Sequence, residues 1–307
     1  MSATRSPSAN KPYPVARICD VWGIPRSTYY DWKKRENQEE RPPPVKPGPK
    51  SALDDDELLA HVRKLLDEVE ALGLRGEGHR KVWARLRRKE VRTSKRRVLR
   101  IMRENGLLAP TRVGRRRGPR SHDGTIHTEW PDQMWGTDAT QTALRSGRLA
   151  WVFLAVDHCT GECIGVHAAE TGTRFDALEP IRQGVTEFLG AVDRGVAEGL
   201  AIRHDHGSQY MSHGFQDELA FLGAVSSPSF VASPEGNGVA ERFVRTLKEQ
   251  LLWVETYDSV EALRAALQAF RSRYNASWIV ARHNYRTPSE VRALLKPVAP
   301  EPAELAA

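Results

Sequence analysis

Three acidic residues stand where an unpaired charge would be costly. Asp138 lies inside the strand-like run of residues 134–142, and Asp205 ends a second, shorter strand-like segment. Glu241 lies among apolar neighbours on a segment of helical spacing, which predicts that it faces inward rather than to water. A buried carboxylate is destabilising unless it is paired, hydrogen-bonded or bound to metal. The three positions are therefore candidates for one shared site.

Together these carboxylates predict a divalent-metal site, although each taken singly would more commonly be a cap, a turn residue or a salt-bridge partner. They converge if the strands of Asp138 and Asp205 are neighbours and the helix of Glu241 packs across both. An all-oxygen ligand set suits Mg²⁺ or Mn²⁺, and two such ions can hold the attacking and leaving oxygens of a phosphodiester. Arg245 and Lys248 follow Glu241 at helical spacing, so we expect them on the same face.

The segments that contain these acids have the pattern of strands and helices expected of a mixed α/β domain. Apolar or alternating runs predict three antiparallel strands, and shorter strands then alternate with helices. The predicted strands cover residues 134–142, 149–158, 162–169, 199–205 and 224–227. The predicted helices cover residues 174–192, 214–222 and 235–253, the last with Ser233 as its cap and Pro234 at its first position.

Two helix-turn-helix candidates precede this domain. The first covers residues 14–35 and has aromatic and basic residues on its second helix; the second has helical segments at 54–72, 79–88 and 94–105. Either could instead be a helical hairpin that only packs, with a solvated basic face. The residues expected to contact DNA are Arg26, Ser27, Tyr29, Tyr30 and Lys33 in the first candidate, Lys95, Arg96, Arg97 and Arg100 in the second, and Arg115, Arg116 and Arg117 in the basic segment after it.

Charge is distributed unevenly along the 307 residues. Residues 1–120 hold 30 Lys and Arg against 15 Asp and Glu, whereas the remainder holds 16 against 24. A basic front third attracts a polyanion such as double-stranded DNA, and bound metal would let the acidic remainder approach phosphate. The predicted domains are a helix-turn-helix segment at 1–36, a Pro-rich linker at 37–52, a second helical DNA-binding domain at 53–110, a basic linker at 111–128, a catalytic core with C-terminal helices at 129–296 and a tail at 297–307.

Composition excludes membrane and secretory classes. The longest apolar run, residues 149–156, is far shorter than the roughly 20 residues that a bilayer helix needs, and no charged-then-apolar signal stands at Met1. Three cysteines, Cys19, Cys159 and Cys163, are an odd number and cannot form a disulfide framework. We therefore expect a reducing cytoplasm.

Four motifs of the second half resemble the DDE recombinases of the retroviral-integrase superfamily, and within them the OrfB-type transposases of the IS-three group of bacterial insertion sequences. The motifs are WGTDAT (135–140), RHDHGSQYMSHGFQDELAFLG (203–223), SPEGNGVAERFVRTLKEQ (233–250) and RYNASWIVARHNYRTPSE (273–290). Two front segments, ICDVWGIPRSTYYDWKKR and GHRKVWARLRRKEVRTSKRRVLRIMRENGL, are similar to the helical DNA-binding segments of that group. The resemblance covers nearly the whole chain.

This resemblance implies a ribonuclease-H-like catalytic domain, built on a mixed five-stranded sheet with helices. In it, Asp138, Asp205 and Glu241 would bind two Mg²⁺ or Mn²⁺ ions, and Lys248 would contact DNA beside them. Water, and then a DNA 3′ hydroxyl, would attack a phosphodiester without a covalent enzyme intermediate. The resemblance further implies double-stranded DNA partners, namely terminal inverted repeats and target DNA, at least a dimer on DNA, a protein from an upstream reading frame as a further partner, and a place on the bacterial nucleoid.

Other interpretations of the same residues stay open at this point. The chain could be a helix-turn-helix regulator with an inactive ribonuclease-H-like domain, or a nuclease that cuts RNA in hybrids. His204 and His206 could orient phosphate or have only a local polar role. Strand packing is preferred over zinc binding for His158, Cys159, Cys163 and His167. Asp157 is interpreted as a turn residue, and the C-terminal aromatic and basic patch (Arg273, Tyr274, Trp278, Arg282, Tyr285 and Arg286) as packing on the core.

Overall fold

The computed structural model describes residues 5–36, 53–110, 126–229 and 237–295. The chain divides into two compact units, residues 1–52 and 53–307. The Pro-rich linker, most of the basic linker with Arg115 to Arg117, and the predicted cap at Ser233 and Pro234 lie outside the described residues. No helix in the described ranges is both long and apolar enough to cross a bilayer.

The first unit contains the predicted pair of short helices, α1 (Val15–Trp22) and α2 (Arg26–Glu36). Gly23 ends α1 in the left-handed conformation, with φ of 62°, and its N–H bonds back to Asp20 O. Glycine takes this conformation without the steric cost of a side chain. Cys19 is buried in this unit. The predicted helix pair is therefore confirmed, and α2 begins at Arg26.

The second unit opens with a three-helix domain of α3 (Asp55–Ala71), α4 (His79–Arg88) and α5 (Lys95–Glu104). Asp54 and Glu57 form a reciprocal capping box at the start of α3, and Ser94 caps α5. These caps satisfy N–H groups that have no partner inside the helix. The apolar stripes of the three helices meet in a core of Leu58, Val62, Leu65, Val69, Leu74, Val82, Leu86, Val91, Val98, Ile101 and Met102.

A five-stranded mixed sheet forms the centre of the second unit. The strands are β1 (Met134–Ala143), β2 (Leu149–Asp157), β3 (Cys163–Ala169), β4 (Ala201–His204) and β5 (Val225–Pro228). Their order in the sheet is β3-β2-β1-β4-β5. The pairs β1–β2 and β2–β3 are antiparallel, whereas β4 pairs parallel to both β1 and β5. The predicted adjacency of the first and fourth strands is confirmed.

Helices cover both faces of this sheet. Alternate residues of β2 point to opposite faces, so that Val152 and Leu154 pack under α9 and α10 while Phe153 and Ala155 pack under α6 and α8. The helices are α6 (Arg174–Gly184, continued as a π-helix over Val185–Leu189), α7 (Ser208–Met211), α8 (His213–Leu222), α9 (Gly238–Leu247, continued as a π-helix over Lys248–Leu252), α10 (Val260–Ser277) and α11 (Pro288–Leu295), with a 3₁₀ turn at Ala281–His283.

One predicted helix end differs from the structure. The helix predicted for residues 174–192 stops at Leu189, because Gly190 has φ of 110° and leaves the helical conformation. The start predicted at residue 235 lies outside the described residues, and α9 is described from Gly238 onward.

The edge strand β3 is covered by side chains of α10. Polar groups one or two turns apart on that helix bind backbone groups of β3 that a further strand would otherwise use. The bonds join Arg264 Nε to Ala168 O (2.6 Å), Gln268 Nε2 to Val166 O (3.0 Å), Asn275 Nδ2 to Cys163 O (3.0 Å) and Cys163 N to Asn275 Oδ1 (2.9 Å).

The three-helix domain is attached to the domain built on the five-stranded sheet within the same compact unit. Trp278, just after α10, packs against the cores of both, and Lys81 Nζ lies 3.1 Å from the centre of its ring. Further bonds join Arg85 to Ser277 O (2.8 Å), Arg88 to Glu290 and Tyr285 O (2.7 Å each), and the Gln250 amide to Arg75 N and O (2.7 and 2.9 Å). The segments predicted as separate domains are thus one compact unit.

Candidate active site

Asp138 and Asp205 lie side by side on adjacent parallel strands. The register pairs Gly136 of β1 with Arg203 of β4. Two residues further along each strand come Asp138, in the middle of β1, and Asp205, just beyond the end of β4. Because strands advance by a similar rise per residue, this register puts both carboxylates at one level and on one side.

Glu241 and two cations lie on the helix that crosses this edge. Glu241 is in the first turn of α9, with Arg245 one turn later and Lys248 at the start of the π-helical extension. The Glu241 side chain is exposed, so the prediction that it faces inward is wrong. The buried face of α9 is formed instead by Val239, Ala240, Phe243 and Leu247.

The three carboxylates interact electrostatically. Burial raises the pKa of Asp138 to about 6, the N–H of Ala139 lowers it by bonding to Oδ1 at 2.8 Å, and the charges of Asp205 and Glu241 raise it again. Partial desolvation raises the pKa of Glu241, and the Arg245 charge lowers it. The Lys248 charge favours ionised Asp138. Three acids and two cations are thus within electrostatic range of one another.

This donor set fits a divalent cation. Within the described residues, no three acidic, histidine or cysteine side chains stand close enough together to hold a metal ion, so the predicted convergence of the three acids is not complete in this structure. The site residues offer carboxylate oxygens only, which is the ligand type that Mg²⁺ and Mn²⁺ prefer. Burial chiefly raises the pKa of Asp138, and the charges of Asp205 and Glu241 add to it; a bound cation would relieve that repulsion.

The segment around Asp205 is held by local hydrogen bonds. Asp205 Oδ1 accepts a bond from Gly207 N at 2.8 Å, which leaves Oδ2 for another partner. His204 is fully buried; its ring nitrogens bond to Asp205 O (2.7 Å) and Ser226 Oγ (2.9 Å), and the ring stacks on Tyr210. The local role is therefore the one that the structure supports for His204, whereas His206 is exposed.

Sequence reasoning missed a group of residues behind the acids. Asn237 Nδ2 donates to Thr137 O at 2.9 Å, so the residue before α9 bonds to the residue before Asp138. Gly136 lies against both His158 Nε2 and Asn237 Oδ1, which stand 2.6 and 2.7 Å from the position that a Cβ would occupy. The sequence gives one indication of this contact. The polar pair Asn237 and Gly238 stands just before an apolar helix, and an asparagine side chain at such a place commonly bonds to a backbone group.

The predicted DNA-contacting residues differ in how far they are already engaged. Arg97 and Arg100 form ion pairs with Asp55 at 2.8 and 2.6 Å, and these bonds lower the pKa of Asp55. Lys95 and Arg96 are exposed, with Lys95 Nζ 4.4 Å from the Trp83 ring centre. DNA contact by Arg97 or Arg100 would require these ion pairs to be shared or broken, and stays a prediction. In the first unit, Arg26, Ser27, Tyr30 and Lys33 are exposed and Tyr29 is half-buried.

The remaining candidates have structural surroundings. Asp157 is fully buried and accepts bonds from Thr160 N (2.7 Å), Thr160 Oγ1 (2.9 Å) and Asp132 N (2.9 Å), as expected for a turn residue. Cys163 is fully buried in the sheet, and His167 pairs with Asp176 at 3.5 Å. In the C-terminal patch, Tyr274 is buried, Trp278 packs on both cores and Tyr285 packs edge-on against Trp83.

Two protein families match parts of the chain. The "HTH-like domain" family matches residues 53–116, the region of the three-helix domain. The "Integrase core domain" family matches residues 226–288, which includes β5, Glu241 and α10.

Curated relatives and solved structures were also found. The chain is 27% identical over 248 residues to transposase InsD for insertion element IS2A/D/F/H/I/K of Escherichia coli, covering 77% of this chain and 78% of the relative. Transposase InsD for insertion element IS2D of Escherichia coli strain K12 matches with the same values. The simian T-cell lymphotropic virus intasome in complex with PP2A regulatory subunit B56 gamma has a TM-score of 0.46 at 17% identity, over 80% of each chain. The catalytic core domain of BIV integrase has a TM-score of 0.39 at 19% identity, over 53% of this chain and 95% of that one.

Proposed function

We propose that this chain, which is related to the DDE transposases of the IS-three group, cleaves DNA strands at the ends of an insertion sequence and transfers the freed 3′ ends to target DNA. The observation that carries this proposal is the register that brings Asp138 and Asp205 to one level on adjacent strands, with Glu241 within electrostatic range. Two further observations support it: an all-oxygen donor set, and cations beside it.

Asp138, Asp205 and Glu241 would hold two Mg²⁺ or Mn²⁺ ions. Such ions, when bound, polarise the scissile phosphate and lower the pKa of the attacking water. Asp138 Oδ1 accepts the Ala139 N–H, and Asp205 Oδ1 accepts the Gly207 N–H just beyond the neighbouring strand. These bonds restrict both side chains before any ligand binds.

Arg245 and Lys248 would neutralise phosphate next to the acids. Both lie on the Glu241 helix, and their charges act on Glu241 and Asp138, respectively. Cations placed there stabilise negative charge that develops on the phosphate during transfer. They also offset the repulsion between DNA and an acidic catalytic domain.

The three-helix domain would hold the DNA end near the acids. Its exposed Lys95 and Arg96 provide phosphate or base contacts, and its attachment through Trp278 and Gln250 ties it to the catalytic domain. Because two element ends must be joined to one target, we propose at least a dimer on DNA.

The direct test is a strand-transfer assay with Glu241→Gln. This substitution keeps the side-chain volume and removes one charged metal ligand. We expect strand transfer with Mg²⁺ to fall at least about 100-fold, since metal ions supply several kcal/mol of transition-state stabilisation. Binding of labelled element ends, measured by gel shift in Ca²⁺, should be unchanged.

The matched control is Glu261→Gln on α10, an exposed glutamate outside the site, which should retain activity. Full strand transfer by Glu241→Gln would refute the metal role of Glu241. A wild-type chain that binds element ends but joins none in Mg²⁺ or Mn²⁺ would instead support the regulator alternative.

A further inference from the structure

A single side chain joins the two elements that hold Asp138 and Glu241. Asn237 is 5% exposed, and its Nδ2 donates to Thr137 O at 2.9 Å. Thr137 directly precedes Asp138, and Asn237 lies four residues, about one helical turn, before Glu241. The bond therefore links the β1 backbone beside one carboxylate to the helix start beside the other.

The bond to Thr137 O sets the orientation of this amide. His158 Nδ1 lies 2.9 Å from Ile126 O, a carbonyl that can only accept, so the imidazole proton is on Nδ1 and Nε2 is a bare acceptor. Asn237 Oδ1, also an acceptor, lies on the same small patch of β1 over Gly136. Rotating the amide would break its bond to Thr137 and turn Oδ1 towards that carbonyl.

Side chains from two elements crowd the strand backbone at Gly136. A Cβ on residue 136 would meet His158 Nε2 and Asn237 Oδ1 at less than 3 Å, so a larger residue would force the helix start or the turn after β2 to shift. Among the described residues, neither of those two buried atoms has a hydrogen-bond partner.

We propose that Asn237 is a positioning residue for the metal site, and that its bond to Thr137 O sets the separation between the Asp138 and Glu241 carboxylates. This inference rests on the proposed function, because it assigns Asn237 a role through the ions that those acids would hold. Residues that orient metal ligands typically change metal affinity by about 10- to 100-fold when they are replaced.

The test is direct titration of the full chain with Mn²⁺ in the absence of DNA, with free Mn²⁺ followed by electron paramagnetic resonance. The variants are Asn237→Ala and the smaller change Asn237→Ser, neither of which reaches Thr137 O. We expect each to bind Mn²⁺ about ten-fold more weakly than the wild type.

The matched control is Asn275→Ala. Asn275 is also a buried asparagine that bonds to a strand backbone, but at the β3 edge, away from the acids. A thermal melt should show lower stability for Asn275→Ala with unchanged Mn²⁺ affinity. A purely structural role for Asn237 predicts the same pattern for its own variants, and that result would overturn the inference.

A fourth variant separates this inference from the proposed function. If Glu241→Gln weakens Mn²⁺ binding while the Asn237 variants bind as the wild type does, only the positioning role is lost. If the wild type and Glu241→Gln bind Mn²⁺ equally, the proposed metal binding by the acids is refuted, and the positioning role of Asn237 is refuted with it.

Discussion

His158 is a buried histidine held in its neutral form. Burial lowers its pKa to about 4, although its bond to Ile126 O favours the charged form, and the nearby charges of His127 and Arg282 disfavour it further. In the unfolded chain the same imidazole has a pKa of about 6.5. Folding therefore excludes a proton that the unfolded chain binds in mildly acidic solution.

This difference predicts a loss of stability on acidification. Above pH 6.5 both states are neutral at His158, and the full contribution is present. Between pH 6.5 and about 4 only the unfolded state binds the proton, so the free energy of unfolding should fall, by up to about 3 kcal/mol from this residue. Urea unfolding measured from pH 7.5 to 4.5 would detect this fall.

The comparison variant is His158→Asn, whose amide can still donate to Ile126 O but does not titrate. Its stability should be lower than wild type at pH 7.5, and should decline less steeply towards pH 4.5. Parallel curves for the two proteins would show that other groups, such as His283, cause the acid sensitivity.

At this scale, residue type and spacing made the three acids candidates but gave no sign of the residues that hydrogen-bond around them. Asp138 and Asp205 stood out because a charge is unusual in an apolar strand, a local property of the sequence. The hydrogen bond of Asn237 joins residues 100 positions apart and that of His158 joins residues 32 positions apart, and no local pattern encodes such contacts. Glu241 was predicted to face inward, but helical periodicity alone does not resolve a rotation of one position.

At the scale of elements, α6 crosses β3 at very short range. Gly165 in β3 lies beneath Pro180, and a Cβ at residue 165 would stand 2.1 Å from Pro180 O. Pro180 lies inside α6, and Gln183 on the same helix binds Val166 N at 3.1 Å. The strand and the helix therefore pack backbone to backbone, where a side chain cannot move aside.

Gly165→Ala should consequently destabilise the fold by about 1–3 kcal/mol or more, as overpacking of a tight core does. The measurement is the free energy of unfolding in urea. The matched control is Gly214→Ala, where the added Cβ meets only the flexible end of Arg174 and alanine favours the helix. Equal losses in the two variants would contradict this account.

Strand positions followed from the sequence more closely than helix ends did. The bounds of the five predicted strands agree with the structure to within a few residues, because alternating apolar residues and turn residues are local signals. The predicted pairing of β1 with β4 is also present. The end of α6 at Leu189 depends on the backbone of Gly190, and glycine permits both helix and turn. The π-helical continuations of α6 and α9 follow from no local sequence pattern.

At the scale of the whole second unit, Trp278 connects two hydrophobic cores. It packs on the core under α9 and α10 and on the core of the three-helix domain. Trp278→Ala should reduce stability by about 2 kcal/mol, less than for a fully buried tryptophan. Amide hydrogen exchange should then speed up in both α3–α5 and α10, whereas Trp253→Ala, a change at a side chain that is 71% exposed, should alter neither. Faster exchange in α10 alone would show that the two domains open independently.

This attachment was not predictable from the sequence. Tyr274, Trp278 and Tyr285 were expected to pack on the catalytic domain, but two of them also contact the three-helix domain. The Gln250 pairing with the Arg75 backbone joins residues 175 positions apart. Contacts of that sequence separation depend on the complete tertiary fold.

The α10 side chains on β3 limit how several copies of this chain can assemble. Hydrogen bonds from Arg264, Gln268 and Asn275 already occupy that sheet edge, so a strand from a neighbouring molecule cannot extend the sheet there without displacing them. If copies assemble on DNA as proposed, they would therefore meet through other surfaces. The same arrangement disfavours edge-to-edge aggregation at β3 in a concentrated preparation.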